Sequence, residues 1–246
     1  MLQKKITSLQ HPQVLYWTQL RKEKAAREEA KALLITGETL ICELSQKITI
    51  KSLITLEPAP EIPAEERFIV TEEILKKITG LQNPAPFAAE AELPAPQKIE
   101  KCERVLILDQ IADPGNLGTL VRTAHAFNWD GVIATPGTVD FFNDKALRAS
   151  RGAIFHLPFM WQTTNEITYW AEKNSIDLFL ADIQGQSLQE VSFHKPFALI
   201  LSNEARGPMN WAEKKGHKIT IPMNSQAESL NVATAGAILL YTMRVS

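Results

Sequence analysis

From about residue 104 onward, compact apolar runs alternate with stretches of helical period. Residues 104–108, 131–134, 176–181, 197–201 and 218–221 have the length and composition of buried strands. Between and after them, 117–127, 143–154, 165–174, 209–215 and 230–244 read as helices. Near-continuous apolar strands separated by helices predict an α/β fold, a mostly parallel sheet covered on both faces.

The first third of the chain reads differently. Pro12 sits in the first turn of a predicted helix that runs to about residue 32. Apolar segments at 32–35, 48–56 and 68–70 alternate with helix-like stretches, which predicts a small α/β module. The pattern then breaks at Asn83-Pro84-Ala85-Pro86 and again at Leu93-Pro94-Ala95-Pro96. Proline sustains neither a helix interior nor a central strand, so residues 81–100 are expected to form a linker. The expected division is a domain over 1–80, the linker, and a larger domain over 101–246.

Hydrophobic residues make up 45% and charged residues 22% of the 246 positions, the balance of an ordinary soluble globular protein. The apolar runs are too short to cross a bilayer, and no signal-peptide pattern opens the chain. Cys42 and Cys102 stand apart without paired or metal-ligand spacing, which argues against a disulfide scaffold and a structural zinc site. A reducing, cytoplasmic setting is expected. The net charge is −2, but it is unevenly spread. Lys4, Lys5, Arg21, Lys22, Lys24, Arg27 and Lys31 crowd the first segment, whereas 57–73 is acidic. Such a basic stripe fits either phosphate contacts or the solvated face of an amphipathic helix.

In open α/β sheets ligands bind beyond the carboxyl ends of the strands. Three such ends carry unusual polar sequence here. The first, 109–124, contains Pro114-Gly115 as a turn and Asn116 as a candidate N-cap. Leu117, Leu120, Val121 and Ala124 share one helical face, which leaves Arg122 roughly opposite. The second, 202–208, offers Glu204 either as a substrate-binding carboxylate or as a cap of the next helix. A phosphate cradle is disfavoured there, because Glu204 repels phosphate and the P-loop spacing is missing. The third runs from Ile219 to Ala233, where Ser229 or Asn231 can cap the final helix. On that helix Ala233, Gly236 and Ala237 permit close backbone approach, within the core or across a subunit contact.

Together these loops resemble the signature motifs of the SpoU (TrmH-type) RNA ribose 2′-O-methyltransferases, within the SPOUT superfamily. Asn116, Gly118, Arg122, Thr123 and Ala124 are similar to the first motif. Asn203-Glu204 and Gly207 are similar to the second, and Ile221-Pro222-Met223 with Glu228-Ser229-Leu230-Asn231-Val232 to the third. The resemblance covers roughly 104–244. The N-terminal part is similar, more loosely, to the ribosomal-protein-like substrate-binding domain often fused to these enzymes. Ser202, Ala205 and Ser225 stand where the family commonly has glycine, which bears on cofactor affinity more than on fold.

The resemblance implies a C-terminal SPOUT domain with a deep trefoil knot, and a homodimer with each active site near the subunit contact. It implies S-adenosylmethionine as cofactor and methylation of a ribose 2′-hydroxyl in RNA, ribosomal sooner than transfer RNA. Arg122 is then the catalytic candidate, as general base or as a clamp on RNA phosphate. Asn116, Glu204, Ser229 and Asn231 form the polar shell around it. Leu201, Ser202, Gly207, Ile221, Met223 and Leu230 form the expected cofactor pocket. Arginine normally stays protonated, so positioning and electrostatic stabilisation is the chemically favoured role. No metal is called for, since none of His11, His125, His156, His194 and His217 has ligand spacing to another. A rival reading keeps the fold as a non-catalytic RNA-binding or ribosome-associated protein, motivated by the replaced glycines. A serine hydrolase built on Ser229 lacks the Gly-x-Ser-x-Gly elbow.

Overall fold

A computed structural model describes residues 3–99, 102–194, 196–203, 210–224 and 228–245. The chain divides into two compact units: Met1–Ala95 with Phe142–Arg148, and Pro96–Phe141 with Ala149–Ser246.

The first unit holds β1 (Gln3–Ile6), α1 (Pro12–Lys22), α2 (Lys24–Ala30), β2 (Ala32–Thr36), α3 (Glu38–Leu44), β3 (Ile50–Thr55), β4 (Glu66–Val70), α4 (Glu72–Thr79) and β5 (Phe87–Glu92). Its sheet runs β1-β4-β3-β5-β2. The single helix expected from Pro12 is two helices, because Glu23 takes an extended backbone (φ −117°, ψ 121°) between them. Val14, Trp17 and Leu20 of α1 pack with Leu34, Ile54, Phe68, Ile74 and Ile78 to make the core. Each such side chain contributes roughly 1.5–3 kcal/mol of burial.

The expected linker is a correction. Residues 87–92 form β5, an interior strand that pairs antiparallel with both β2 and β3. Pro84, Pro86, Pro94 and Pro96 flank this strand and do not interrupt it. Its alanines, poor strand formers in isolation, are fully buried, so packing overrides propensity. Glu90, 6% exposed, accepts hydrogen bonds from Tyr16 Oη (3.0 Å), Trp17 Nε1 (3.0 Å) and Ser52 Oγ (2.9 Å). Burial, and then the Glu90 charge beside it, push the Tyr16 hydroxyl well above its ordinary range. A buried carboxylate held by three donors ties α1 to the sheet.

The second unit holds β6 (Arg104–Asp109), α5 (Pro114–Ala126), β7 (Gly131–Ala134), part of α6 (Asp144–Ser150), β8 (Phe159–Trp161), α7 (Thr164–Asn174), β9 (Asp177–Ser187), β10 (Phe197–Ser202), α8 (Asn210–Lys215), β11 (His217–Thr220) and α9 (Val232–Thr242). Its sheet runs β11-β9-β10-β6-β7-β8, and every pairing is parallel. Val105, Ile107, Ala198 and Ile200 turn to one face, against Ile167 and Trp170 of α7 and Ala212 of α8. Leu201 turns to the other, against α5 and α9. Alternate residues are thus buried on opposite faces, which is why these strands read as unbroken apolar runs. A Cβ added at Gly236 would fall 2.2 Å from Leu120 Cδ2 and 2.7 Å from Leu201 Cδ1. The glycine therefore serves close packing of α9 on α5 and β10 within the core.

Candidate functional site

At the carboxyl ends of β10 and β11, beside the middle of β9, the second unit opens into a cavity of about 310 Å³, near the lower bound for ligand pockets. The register shows why it opens there. β10 pairs with β9 only from Phe197↔Asp177 to Ile200↔Leu180, whereas its pairing with β6 continues to Ser202↔Asp109. Beyond Leu180 the β9 chain leaves β10, and the gap between them is the pocket. Leu201, Ile219, Ile221, Met223, Leu230, Val232 and Leu239 supply apolar wall, and Asp182, Ser202, Asn203 and Ser229 supply polar groups.

The second and third loops line this cavity, and hydrogen bonds tie the first loop to both. Asn231 caps α9, its Oδ1 accepting from Ala233 N (3.0 Å) and Thr234 N (3.3 Å). That duty fixes which way the amide faces, so Nδ2 donates to Asn116 Oδ1 at 3.2 Å and links the third loop to the first. Asn116 is not the cap of α5, as expected from sequence. Asp113 is, with Pro114 in the first turn and Asp113 Oδ1 accepting from Asn116 N at 2.9 Å. Asn203 joins the second loop to the first: its Nδ2 donates to Gln110 O (3.0 Å) and its N–H to Asp109 O (3.2 Å). Beneath them Asp109, 1% exposed, accepts from Thr135 Oγ1 at 2.9 Å.

Of the expected cofactor residues, Leu201, Ser202, Ile221, Met223 and Leu230 line the cavity. Gly207 lies outside the described residues, as do Glu204, Ala205 and Ser225. Ser229 also lines the cavity. Arg122 does not; it is exposed on α5, while Leu117, Gly118, Leu120, Val121 and Ala124 of that helix are buried. It stands six residues beyond Asn116, or about 9 Å along the helix axis.

Sequence reasoning missed Asp182 and Ile183, which sit past the end of the apolar run read as a strand. The only hint was the change to Asp-Ile-Gln-Gly directly after it. Burial alone would raise the Asp182 carboxyl, but the Gln184 N–H and the Lys218 ammonium outweigh it and hold it below the ordinary carboxylate value. The basic stripe of the first unit is partly held in internal contacts. Arg27, 3% exposed, donates to Leu20 O (2.7 Å) and Arg21 O (3.2 Å) at the end of α1. Arg21 pairs with Asp144, Lys24 with Glu28 and Lys4 with Glu66. Lys5, Lys22 and Lys31 remain exposed.

The cavity fits the cofactor that the motifs imply. Ser202 Oγ is buried and has no hydrogen-bond partner among the described residues. Such an orphan costs roughly 1–3 kcal/mol, which a ligand atom would relieve. Apolar walls on three strands suit a flat base and an aliphatic chain.

The profile of the SpoU rRNA Methylase family matches residues 103–241, a span that contains all three loops. The chain belongs to this family. Across 98% of its length it is 33% identical to the 23S rRNA (guanosine(2553)-2′-O)-methyltransferase RlmP of Bacillus subtilis, covering 99% of that protein. A 23S rRNA (uridine(2479)-2′-O)-methyltransferase of Streptomyces viridochromogenes is 30% identical over 72% of the chain and 66% of its own length. Among solved structures, an AdoMet-bound rRNA methyltransferase from Sinorhizobium meliloti superposes with a TM-score of 0.88 at 28% identity, over 99% of this chain and 98% of that one. The likeness to these SpoU family members therefore includes the N-terminal unit, which the profile does not reach. No helix among the described residues is long and apolar enough to cross a membrane.

Proposed function

We propose that the chain is an S-adenosylmethionine-dependent methyltransferase that modifies a ribose 2′-hydroxyl in ribosomal RNA. The observation that carries this reading is that the second and third family loops line one cavity, while the Asn231–Asn116 and Asn203–Gln110 hydrogen bonds tie the first loop to them. The named activities of the Bacillus and Streptomyces relatives support ribosomal over transfer RNA.

When bound, S-adenosylmethionine supplies an activated methyl group. The chain's own residues must hold the ribose oxygen in line with that group and exclude water. Asn231, fixed by capping α9, orients Asn116. Ser229, Leu230 and the walls around Leu201, Ile221 and Met223 enclose the cofactor, with Ser202 donating or accepting through its hydroxyl. Arg122 faces outward, where an exposed guanidinium is a charged two-pronged donor matched to phosphate. Its role is to clamp the RNA backbone and so place the ribose, in preference to taking a proton. Glu204 and Gly207 are assigned to the same site on the motif alone. The family's trefoil knot is carried to the C-terminal domain by the resemblance alone.

A homodimer completes the assembly, supported by exposed Ile238 and Tyr241 on α9. The N-terminal unit is the RNA-binding domain, its exposed Lys5, Lys22 and Lys31 available for phosphate. The setting is cytoplasmic. The test is transfer of labelled methyl from S-adenosylmethionine to unmethylated ribosomal and transfer RNA, with wild type and Arg122→Ala. Label on ribosomal RNA, reduced about 100-fold or more in the variant, is expected. Label on transfer RNA alone would overturn the substrate class, and no transfer despite cofactor binding would favour a non-catalytic RNA-binding protein.

A further inference from the structure

β11 pairs with β9 at His217↔Phe179 and Lys218↔Leu180, then resumes at Ile219↔Gln186 and Thr220↔Ser187. Residues 181–185 are therefore looped out of the ladder, and Ala181, Asp182 and Ile183 are carried into the cavity wall. The excursion is built into the chain. At its far end a Cβ on Gly185 would lie 2.5 Å from the backbone N and C of Ile219, so only glycine lets the strand rejoin its neighbour there. Within it, Gln184 N donates to Asp182 Oδ1 at 2.8 Å, and Thr220 Oγ1 to Ile183 O at 3.4 Å.

Asp182 is the acidic group of this otherwise mainly apolar pocket, among the described residues. Its side chain is only 10% exposed. One oxygen takes the Gln184 N–H, and the other pairs with Lys218 Nζ at 2.9 Å. A carboxylate offers about four acceptor positions, so about two remain for a ligand. Lys218 also pairs with Glu213 at 3.1 Å, which leaves the cluster one negative charge in excess. Ser202 ends the neighbouring strand with its orphaned hydroxyl. Two adjacent acceptor positions on a buried carboxylate suit a pair of vicinal hydroxyls. A second ammonium is less well matched, because Lys218 already occupies the cationic position beside the same carboxylate.

Resting on the cofactor assignment above, we propose that Asp182 is the residue that holds the ribose 2′,3′-diol of the bound cofactor, presented by the 181–185 excursion of β9. The diol approaches as two neutral donors, the carboxylate stays ionised, and Ile183 covers the sugar from the solvent side. Asp182 thus acts on cofactor affinity and orientation and takes no part in the methyl transfer itself.

The test is calorimetric titration of the full chain with S-adenosylhomocysteine, its 2′-deoxy and 3′-deoxy analogues, and an analogue lacking the α-amino group. Wild type should bind each deoxy analogue about tenfold or more weakly than S-adenosylhomocysteine, the loss expected for a hydrogen bond to a charged group. Asp182→Asn should bind S-adenosylhomocysteine about tenfold more weakly and discriminate little among the three. Wild type that ignores the missing hydroxyls, or Asp182→Asn that keeps the full preference, would overturn the proposal. So would a variant whose lost preference is for the α-amino group. The wild-type series decides the matter even if the variant misfolds. Failure of wild type to bind S-adenosylhomocysteine at all would instead remove the cofactor assignment on which the proposal rests.

Discussion

Asn231 carries two duties that substitution can separate. Its Oδ1 caps α9 through Ala233 N and Thr234 N, and its Nδ2 reaches Asn116 Oδ1. Asn231→Ala removes both. Loss of the cap costs about 1 kcal/mol, and loss of a part-exposed side-chain hydrogen bond adds roughly 0.5 kcal/mol or more. For a chain of this size that lowers the melting temperature by about 3–6 °C. Asn231→Asp keeps the cap, since aspartate accepts the same two N–H groups and its charge favours a helix N-terminus. It cannot donate to Asn116. Either the bridge breaks, or the Asn116 amide turns over and presents the opposite polarity to the site. Stability should therefore stay within about 0.5 kcal/mol of wild type. Methyl transfer should fall by about 10- to 100-fold, equivalent to 1.4–2.8 kcal/mol of lost positioning. The assay pairs thermal unfolding with initial rates of labelled methyl transfer at saturating cofactor. Full activity in Asn231→Asp would refute the reasoning and leave Asn231 as a cap and nothing more.

Other outcomes follow from single contacts. Glu90→Ala strands the Tyr16, Trp17 and Ser52 donors in the first unit, and should destabilise that unit by about 2–4 kcal/mol in denaturant titration; cofactor affinity, set in the second unit, should not move. Ser202→Ala removes a buried hydroxyl without a partner among the described residues, so the cofactor-free protein should gain up to about 1 kcal/mol while S-adenosylhomocysteine binds several-fold more weakly; unchanged affinity would show that Ser202 makes no ligand contact. Cys102 is pushed up to about 11, by burial first and then by the charge of Asp130. A raised thiol pKa keeps the reactive thiolate scarce at neutral pH, so alkylation followed by mass spectrometry should mark exposed Cys42 first, and equal rates would contradict this.

The second unit was legible because its strands are buried on both faces. Such runs, at 131–134 and 197–202 above all, stand out against the helices between them. β8 escaped notice because three residues carry too little pattern, and β1 because three of its four positions are exposed. β5 was hidden for another reason: its prolines lie outside the strand, and Ala88, Ala89 and Ala91 are buried because β2 and β3 flank the strand while Ala88 packs in the core beneath α1 and α3 packs against the strand. Composition along the chain cannot report a tertiary cover. The cofactor wall was readable from Leu201, Ile221, Met223 and Leu230, since these belong to motifs with fixed spacing. Asp182 was not, because its place depends on a break in the β9–β11 register that no local period encodes. The cap of α5 went to Asp113 over Asn116, as Pro114 starts that helix earlier than its apolar face suggests.

Methyl transfer to a ribose oxygen of ribosomal RNA leaves a chemical signature in the product. The most direct measurement labels unmethylated ribosomal RNA from methyl-labelled S-adenosylmethionine, hydrolyses it with alkali and locates the label. A 2′-O-methyl group removes the hydroxyl that alkali needs to cleave the adjacent phosphodiester. Label is expected in alkali-resistant dinucleotides, and its loss with Arg122→Ala. Label released in mononucleotides would place the methyl on a base and contradict transfer to the ribose.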